Sequence, residues 1–185
     1  RLVTISSRRT QMAKLSHLHL RPKPGSTAAL IEGMCALMLQ EGLVDRRFLT
    51  WRTDGSEELF ARLEAVDAAG VIRRSGVEPK DAALVVRELA AANTGCAFYP
   101  TGIQSISERA MAMLLNLFLM SGKVGGEKGG LFPVTGISNL LGSYDMGCSP
   151  VFLPGYGKID DGVARARMEK FWGVSLAPGP GRSVN

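Results

Sequence analysis

Apolar residues along the chain switch between two spacings, and the switches mark the elements. Val3, Thr4 and Ile5 make a β-branched run that predicts a strand over 1–5, followed by a polar turn over 6–10. Leu18 and Leu20 alternate with His17 and His19 in a second extended stretch over 18–21, closed by Pro22 and the Lys23-Pro24-Gly25 turn. Leu30, Met34, Leu37 and Met38 then recur at helical spacing, which predicts a helix over 28–40 behind a Ser26 or Thr27 cap, stopped by Gly42. Shorter helices are expected over 45–51, over 57–65 with Ser56 as N-cap, and over 67–74. A stronger one opens at Pro79 and runs to about 92, with Ala83, Val86 and Leu89 inward. The run 96–99, bounded by Gly95 and Pro100, has the length of a buried strand, and 105–120 reads as a central helix, apolar on nearly all sides. From 121 to 147 the chain carries eight glycines and no helical period, and 159–171 is an amphipathic helix expected to turn Val163, Ala166 and Met168 inward. Strands alternating with helices predict a three-layer α/β fold of Rossmann-like type with a mostly parallel sheet, strands 3–5 and 96–99 sharing that one sheet. The expected division is a domain over 1–158 and a C-terminal helix with an extended tail over 159–185.

Composition narrows the class without naming a function. The 185 residues, 45% hydrophobic and 21% charged with mean hydropathy of +0.08, suit a globular domain with its own core. The densest apolar run, 110–120, falls short of the roughly 20 residues that a membrane-spanning helix needs. Cys35, Cys96 and Cys148 lie far apart with no C-x-x-C pair, so no metal or iron–sulfur cradle is encoded, and a reducing, cytoplasmic compartment is expected. The net charge of +5 comes from dispersed basic residues with only 6% aromatics, which argues against a nucleic-acid partner. Arg1 opens directly into a strand and 176–185 is rich in proline and glycine, the texture of a piece of a longer chain.

Two strand-to-helix passages have ligand-binding character. Ligands of open parallel sheets sit beyond the carboxyl ends of the strands, where 6–10 and 101–105 fall. Arg8 and Arg9 bring guanidinium forks that match phosphate oxygens, or else are solvated turn residues. Gly25, Ser26 and Thr27 form a tight turn whose backbone N–H groups open a helix, an anion site or an ordinary cap. One of His17 and His19 could reach a site. Lys128 is followed by Gly129 rather than Ser or Thr, so the glycine-rich segment is not a Walker loop. No nucleophile elbow surrounds any Ser or Cys. Met111, Met113 and Met120 read as core filler, and Asp145 is the one acidic residue of the second glycine-rich stretch.

The order and spacing of several stretches carry more than any one of them. These are Arg8-Arg9-Thr10 after a strand, Arg21-Pro-Lys-Pro-Gly-Ser-Thr-Ala-Ala-Leu30, Glu41-Gly-Leu-Val-Asp45, Gly102-Ile103 and Ser121-Gly-Lys-Val-Gly125. Most specific is Phe132-Pro-Val-Thr-Gly-Ile-Ser-Asn-Leu-Leu-Gly-Ser-Tyr-Asp-Met-Gly147, followed by Leu153-Pro-Gly-Tyr156. Together they resemble the large subunit of the molybdopterin oxidoreductases, in the formate dehydrogenase branch, over nearly the whole chain. The resemblance implies an α/β domain packed over one of two molybdopterin guanine dinucleotides that carry molybdenum or tungsten, in a large subunit with electron-transfer partner subunits and further domains of its own chain. It places Ser6, Arg8, Arg9, Gly25, Ser26, Thr27, Gly102, Gly136 and Asn139 among the cofactor-binding positions and no metal ligand in this chain.

The departures matter as much. Ser6-Ser7-Arg8 stands where the family usually has Asp-Pro-Arg, and Thr27 occupies a usual Asp position. Thr135 stands at the arginine of the formate-specific Pro-Val-Arg-Gly motif, where a hydroxyl cannot give formate a bidentate ionic contact. Ile137 and Ser138 replace the usual Gln and Asn. Two functions follow from the resemblance. One is a working oxidoreductase; the alternative is a cofactor-free structural relative, as in the large peripheral subunit of the respiratory NADH dehydrogenase.

Overall fold

A computed structural model describes residues 1–100, 108–136 and 138–181. The chain folds as two compact units, Arg1–Val134 and Thr135–Asn185, a division ahead of the 158/159 boundary drawn from the sequence. The first unit runs β1 (Val3–Ile5), α1 (Gln11–Leu15), β2 (Leu18–Leu20), α2 (Thr27–Gln40), α3 (Arg46–Arg52), α4 (Ser56–Glu64), α5 (Ala68–Arg74), α6 (Pro79–Ala91), β3 (Gly95–Pro100), α7 (Glu108–Met120) and β4 (Gly129–Val134). It is an α/β fold with parallel strand pairing.

Helix α2 is the centre of this unit because it is apolar on almost every side. Leu30, Ile31, Met34, Cys35, Ala36 and Met38 are all buried, and α4, α5, α6 and α7 pack around them. Such a helix is stable only when enclosed, since no polar face is left for water. Gly33 lets α5 approach closely: a Cβ there would stand 2.7 Å from Ile72 Cγ1 and 3.3 Å from the Ala68 carbonyl oxygen. Thr10, Asp45 and Asp67 cap α1, α3 and α5 through side-chain oxygens that accept backbone N–H bonds. At α4 the expected Ser56 cap is displaced by one residue. Gly55, in the left-handed region at φ 77°, occupies the cap position and Ser56 is the first helical residue.

The strands correct the expected single sheet. β1 pairs with β2, Val3 opposite Leu18, and β3 pairs with β4, Phe98 opposite Phe132; both pairs are parallel, but β1 and β3 lie in separate two-stranded sheets. Each strand has found one parallel neighbour, and no described strand joins the pairs. β4 was hidden in the glycine-rich stretch: Gly129 and Gly130 have φ of 109° and 154°, and Pro133 carries no N–H, so the strand lacks the usual sequence signature. Pairing with β3 supplies what local propensity does not.

The second unit contains α8 (Leu140–Asp145) and α9 (Gly162–Trp172). Asp161 caps α9 as a side-chain acceptor for Val163 N–H. The expected inward face of α9 is largely outward: Val163 is 81% exposed and Ala166 is exposed as well, while Met168 is half-buried. The unit offers that helix no core, since Leu153 is its one buried hydrophobic residue among those described.

Candidate functional site

Because β1 and β2 run parallel, the loops that leave them emerge at the same end. That end holds most of the positions singled out in the first unit. Ser6 N–H donates to Leu20 O at 3.1 Å, extending the ladder one residue beyond β1. The Ser6 hydroxyl donates to Arg8 O at 2.9 Å and accepts from Arg8 N–H at 3.3 Å, a closed turn that throws Arg8 and Arg9 into solvent. Arg21 Nε donates to Ser7 O at 3.1 Å, and His19 Nε2 bonds Ser6 O at 2.9 Å, so the β2 exit ties down the β1 exit. His19 therefore reaches the site's edge as a backbone partner, while exposed His17 accepts Leu2 N–H at Nδ1.

The second loop delivers the start of α2. Gly25 turns at φ 80° with nothing within 4 Å of where a Cβ would stand. Ser26 sits at the N-cap position without capping the helix. Its hydroxyl lies 2.7 Å from Lys23 O and 3.0 Å from Ser75 O, holding the loop against the end of α5. Thr27 opens the helix, half-buried. The first-turn N–H groups of a fourteen-residue helix are thus left without a side-chain cap.

The electrostatic character of this end was partly missed in the sequence reading, which weighed Arg8 and Arg9 but not Arg21 and Lys23 as their companions. The signal was present: the first acidic residue in the chain is Glu32, so Arg8, Arg9, Arg21 and Lys23 share their segment with no carboxylate. Among the described residues none of the four makes an ion pair. Four exposed cations on the loops that leave β1 and β2 make an end suited to a phosphorylated ligand. Two clefts elsewhere on this unit, about 250 and 310 Å³, are lined by none of these residues.

Gly102 and Ile137 lie outside the described residues. In the second unit, Thr135 is half-buried and Gly136 is exposed with open space around it. Asn139 adopts the left-handed region at φ 55° as the N-cap of α8 and accepts Ser143 N–H at its carbonyl. The most specific stretches of the sequence turn out to be partners. Gly147, at φ 78°, lies so close to Pro154 that a Cβ would stand 2.7 Å from its backbone nitrogen. The Asp145 carboxylate accepts from the Tyr156 hydroxyl, a bond that holds the phenol proton and raises its pKa. Phe152 packs edge-on against Tyr156. Sequence reasoning set Asp145 apart but could not see its partner, eleven residues away. Among the described residues no three His, Cys, Asp or Glu side chains gather to hold a metal ion, and no helix is long and apolar enough to cross a membrane.

No protein-family model matches the chain. Curated relatives match it from end to end. It is 30% identical over 185 residues to the assimilatory nitrate reductase catalytic subunit of Bacillus subtilis, covering 99% of this chain and 26% of that protein. It is 30% identical over 186 residues to the F420-dependent formate dehydrogenase subunit alpha of Methanocaldococcus jannaschii, covering 100% of this chain and 27% of that one. It is 31% identical to the NADPH-Fe(3+) oxidoreductase subunit alpha of Geobacter sulfurreducens, covering 100% of this chain and 21% of that one. The chain belongs to the molybdopterin oxidoreductase family. It spans about a quarter of the length of the family members it matches. Acetylene hydratase from Pelobacter acetylenicus shares the fold, with a TM-score of 0.63 and 21% identity over 69% of this chain and 18% of that one. Several of these molybdopterin oxidoreductase relatives are named as alpha subunits.

Proposed function

We propose that these residues form part of the cofactor-binding region of a molybdopterin oxidoreductase large subunit, with the carboxyl end of β1 and β2 holding the phosphates of a molybdopterin guanine dinucleotide. The observation that carries this reading is that Arg8, Arg9, Arg21, Lys23 and the uncapped N-terminus of α2 all follow the same end of the parallel β1–β2 pair, with no acidic residue in the segment before Glu32. The fit is to phosphate more than to guanine. The Ser6 and Ser26 hydroxyls are engaged with backbone carbonyls, and Thr27 offers no carboxylate, so recognition falls to guanidinium groups and backbone N–H donors. The open space at Gly25 lets a ligand approach the backbone.

When bound, such a cofactor supplies a molybdenum or tungsten centre for two-electron chemistry. The chain's own residues bind and orient. Arg8 and Arg9 would neutralise phosphate charge, the α2 N–H groups would donate hydrogen bonds to the phosphate oxygens, and His19 with Arg21 keeps the two loops in register. Thr135, Gly136 and Asn139 follow β4 at positions the family uses near the reacting centre, and Thr135 gives this chain a neutral group where a formate-oxidising relative needs a cation. The parent protein then acts on a substrate other than formate, with separate electron-transfer subunits, in the cytoplasm.

The test uses the full-length polypeptide that carries these residues. Replacing Arg8 and Arg9 together by Ala removes two charge-assisted contacts worth about 1.5–3 kcal/mol each. Cofactor should then be lost at least tenfold faster on dilution, followed by the fluorescence of released pterin. Unchanged retention would overturn the assignment of these arginines. Purified wild-type protein without pterin would favour the cofactor-free structural alternative.

A further inference from the structure

The stretch Ser121-Gly-Lys-Val-Gly125, one of those that carry the family resemblance, takes no part in the phosphate end. Lys123 is 7% exposed, the one buried charged side chain among the described residues. Its stem lies over the start of β3, where Gly95 makes room: a Cβ on that glycine would stand 3.5 Å from Lys123 Cγ. Among the described residues the Lys123 ammonium has no ion-pair or hydrogen-bond partner. None of their side-chain nitrogens or oxygens is both unpartnered and fully enclosed, so the ammonium meets open space. That space is the cleft of about 310 Å³, which Lys123 lines with Leu43, Val44, Asp45, Arg87 and Ala90. An unpaired cation on a buried stem is costly, and an occupant of the cleft relieves that cost.

The surroundings decide which charges the occupant carries. Arg87 is already engaged, its Nε and Nη2 donating to the Glu41 carboxylate at 2.7 and 2.8 Å. Asp45 is engaged at one oxygen only. Its Oδ1 accepts Phe48 N–H at 2.9 Å, while Oδ2 stands 2.5 Å from where a Cβ of Gly122, the residue before Lys123, would be. Asp45 and Lys123 thus line one cleft with opposite charges and form no ion pair. Helices α2, α6 and α7 also end at this cleft, and helix C-termini present carbonyl oxygens that favour positive charge. A simple anion would suit Lys123 but meet Asp45 and three carbonyl ends. A simple cation would suit those and meet Lys123. A small molecule carrying both charges answers both, and Leu43, Val44 and Ala90 supply an apolar wall for the rest of it.

We infer that this cleft is a binding site for an apolar α-amino acid, its carboxylate on the Lys123 ammonium and its amino group on Asp45 Oδ2. The volume is at the lower end of the roughly 300–1,000 Å³ of small-molecule sites, which suits a ligand of this size. The site stands apart from the cofactor reading, because the fourteen residues of α2 put about 20 Å between the helix start at the phosphate end and its end here.

Equilibrium dialysis of radiolabelled L-leucine against the full-length polypeptide tests it. The expected result is saturable binding of one molecule per chain at millimolar concentration or below. In the same protein, 4-methylpentanoate lacks the amine and 3-methylbutylamine lacks the carboxylate. Each forgoes one charge-assisted contact and should compete more weakly than leucine by about tenfold or more. Lys123→Met keeps an apolar stem and Asp45→Asn keeps a capping oxygen for α3, and each should weaken leucine binding by about tenfold or more. The double variant Arg8→Ala, Arg9→Ala should bind leucine as wild type does. Absence of saturable binding overturns the proposal, including the case in which another segment of the polypeptide fills the cleft. Competition by either analogue at the strength of leucine, undiminished binding in either cleft variant, or lost binding in the arginine variant overturns it as well.

Discussion

Replacing Gly33 by Ala sets two effects against each other, and the geometry decides between them. In an exposed helix interior the change stabilises by about 0.5–1 kcal/mol, because glycine loses more backbone entropy on folding. Here the new methyl would stand 2.7 Å from Ile72 Cγ1 and 3.3 Å from the Ala68 carbonyl oxygen. Neither neighbour can yield cheaply. Ile72 is fully buried, and Ala68 O belongs to the backbone of α5, so the helices themselves must separate. Overpacking of this kind costs about 1–3 kcal/mol, so the net expectation is a destabilisation of about 0.5–2 kcal/mol. Ile72→Ala alone should cost about 2–5 kcal/mol through the cavity it leaves. In the double variant the Gly33→Ala methyl gains room, so its effect should be smaller than the sum by about 0.5–3 kcal/mol. Urea unfolding followed by circular dichroism measures all four corners, with a constant m-value as the check that only stability has changed. A more stable Gly33→Ala protein, or strict additivity with Ile72→Ala, would refute the argument from close approach.

The remaining predictions concern thiols, formate and the Gly147 clip. Burial, then the nearby Glu32 carboxylate, pushes the Cys35 thiol up to about 12. Iodoacetamide at pH 8 should therefore modify exposed Cys96 and Cys148 and leave Cys35 intact in the native state, read by peptide mass spectrometry. The same shift has a stability consequence. From about pH 9 upward the unfolded state loses the Cys35 proton while the folded state keeps it, so this residue's contribution falls by about 1.4 kcal/mol per pH unit until about 12. The cofactor-loaded parent should oxidise formate poorly, with activity gained in Thr135→Arg, since no Lys or Arg lies between Gly129 and Pro154 to replace that charge; efficient wild-type turnover would refute this unless another segment supplies a cation. Gly147→Ala should loosen the second unit by about 2–4 kcal/mol, from a left-handed backbone and a clash with the Pro154 nitrogen, and speed limited proteolysis over 140–160; an unchanged cleavage rate would count against it.

Sequence patterns revealed most helices because their information is local. Leu30, Met34 and Met38 mark α2 by spacing, and Pro79 marks the start of α6, with no knowledge of what lies opposite. Glycine-rich β4 was illegible because its reason for being extended is Gly95–Pro100, more than thirty residues earlier. The inward face assigned to α9 failed for a related reason: periodicity marks an apolar stripe but cannot supply the surface that would bury it. At the candidate site, Arg8 and Arg9 were legible as phosphate chemistry at a strand end. Their alliance with Arg21 and Lys23 depends on the parallel direction of β1 and β2, and sequence left the cap open between Ser26 and Thr27 because one of the carbonyls that engages the Ser26 hydroxyl, Ser75 O, is distant in sequence.

The enclosure of α2 also sets a schedule for synthesis. Its final partner, α7, ends at Met120, and Cys35 Sγ reaches the Met113 carbonyl across 78 positions of chain. At about 5–20 residues per second, the roughly 80 residues from Gln40 to Met120 leave the ribosome over about 4–16 s. During that interval an apolar helix waits beside α4, α5 and α6 with one flank bare. A nascent chain arrested between α6 and α7 would be the form most prone to bind chaperones.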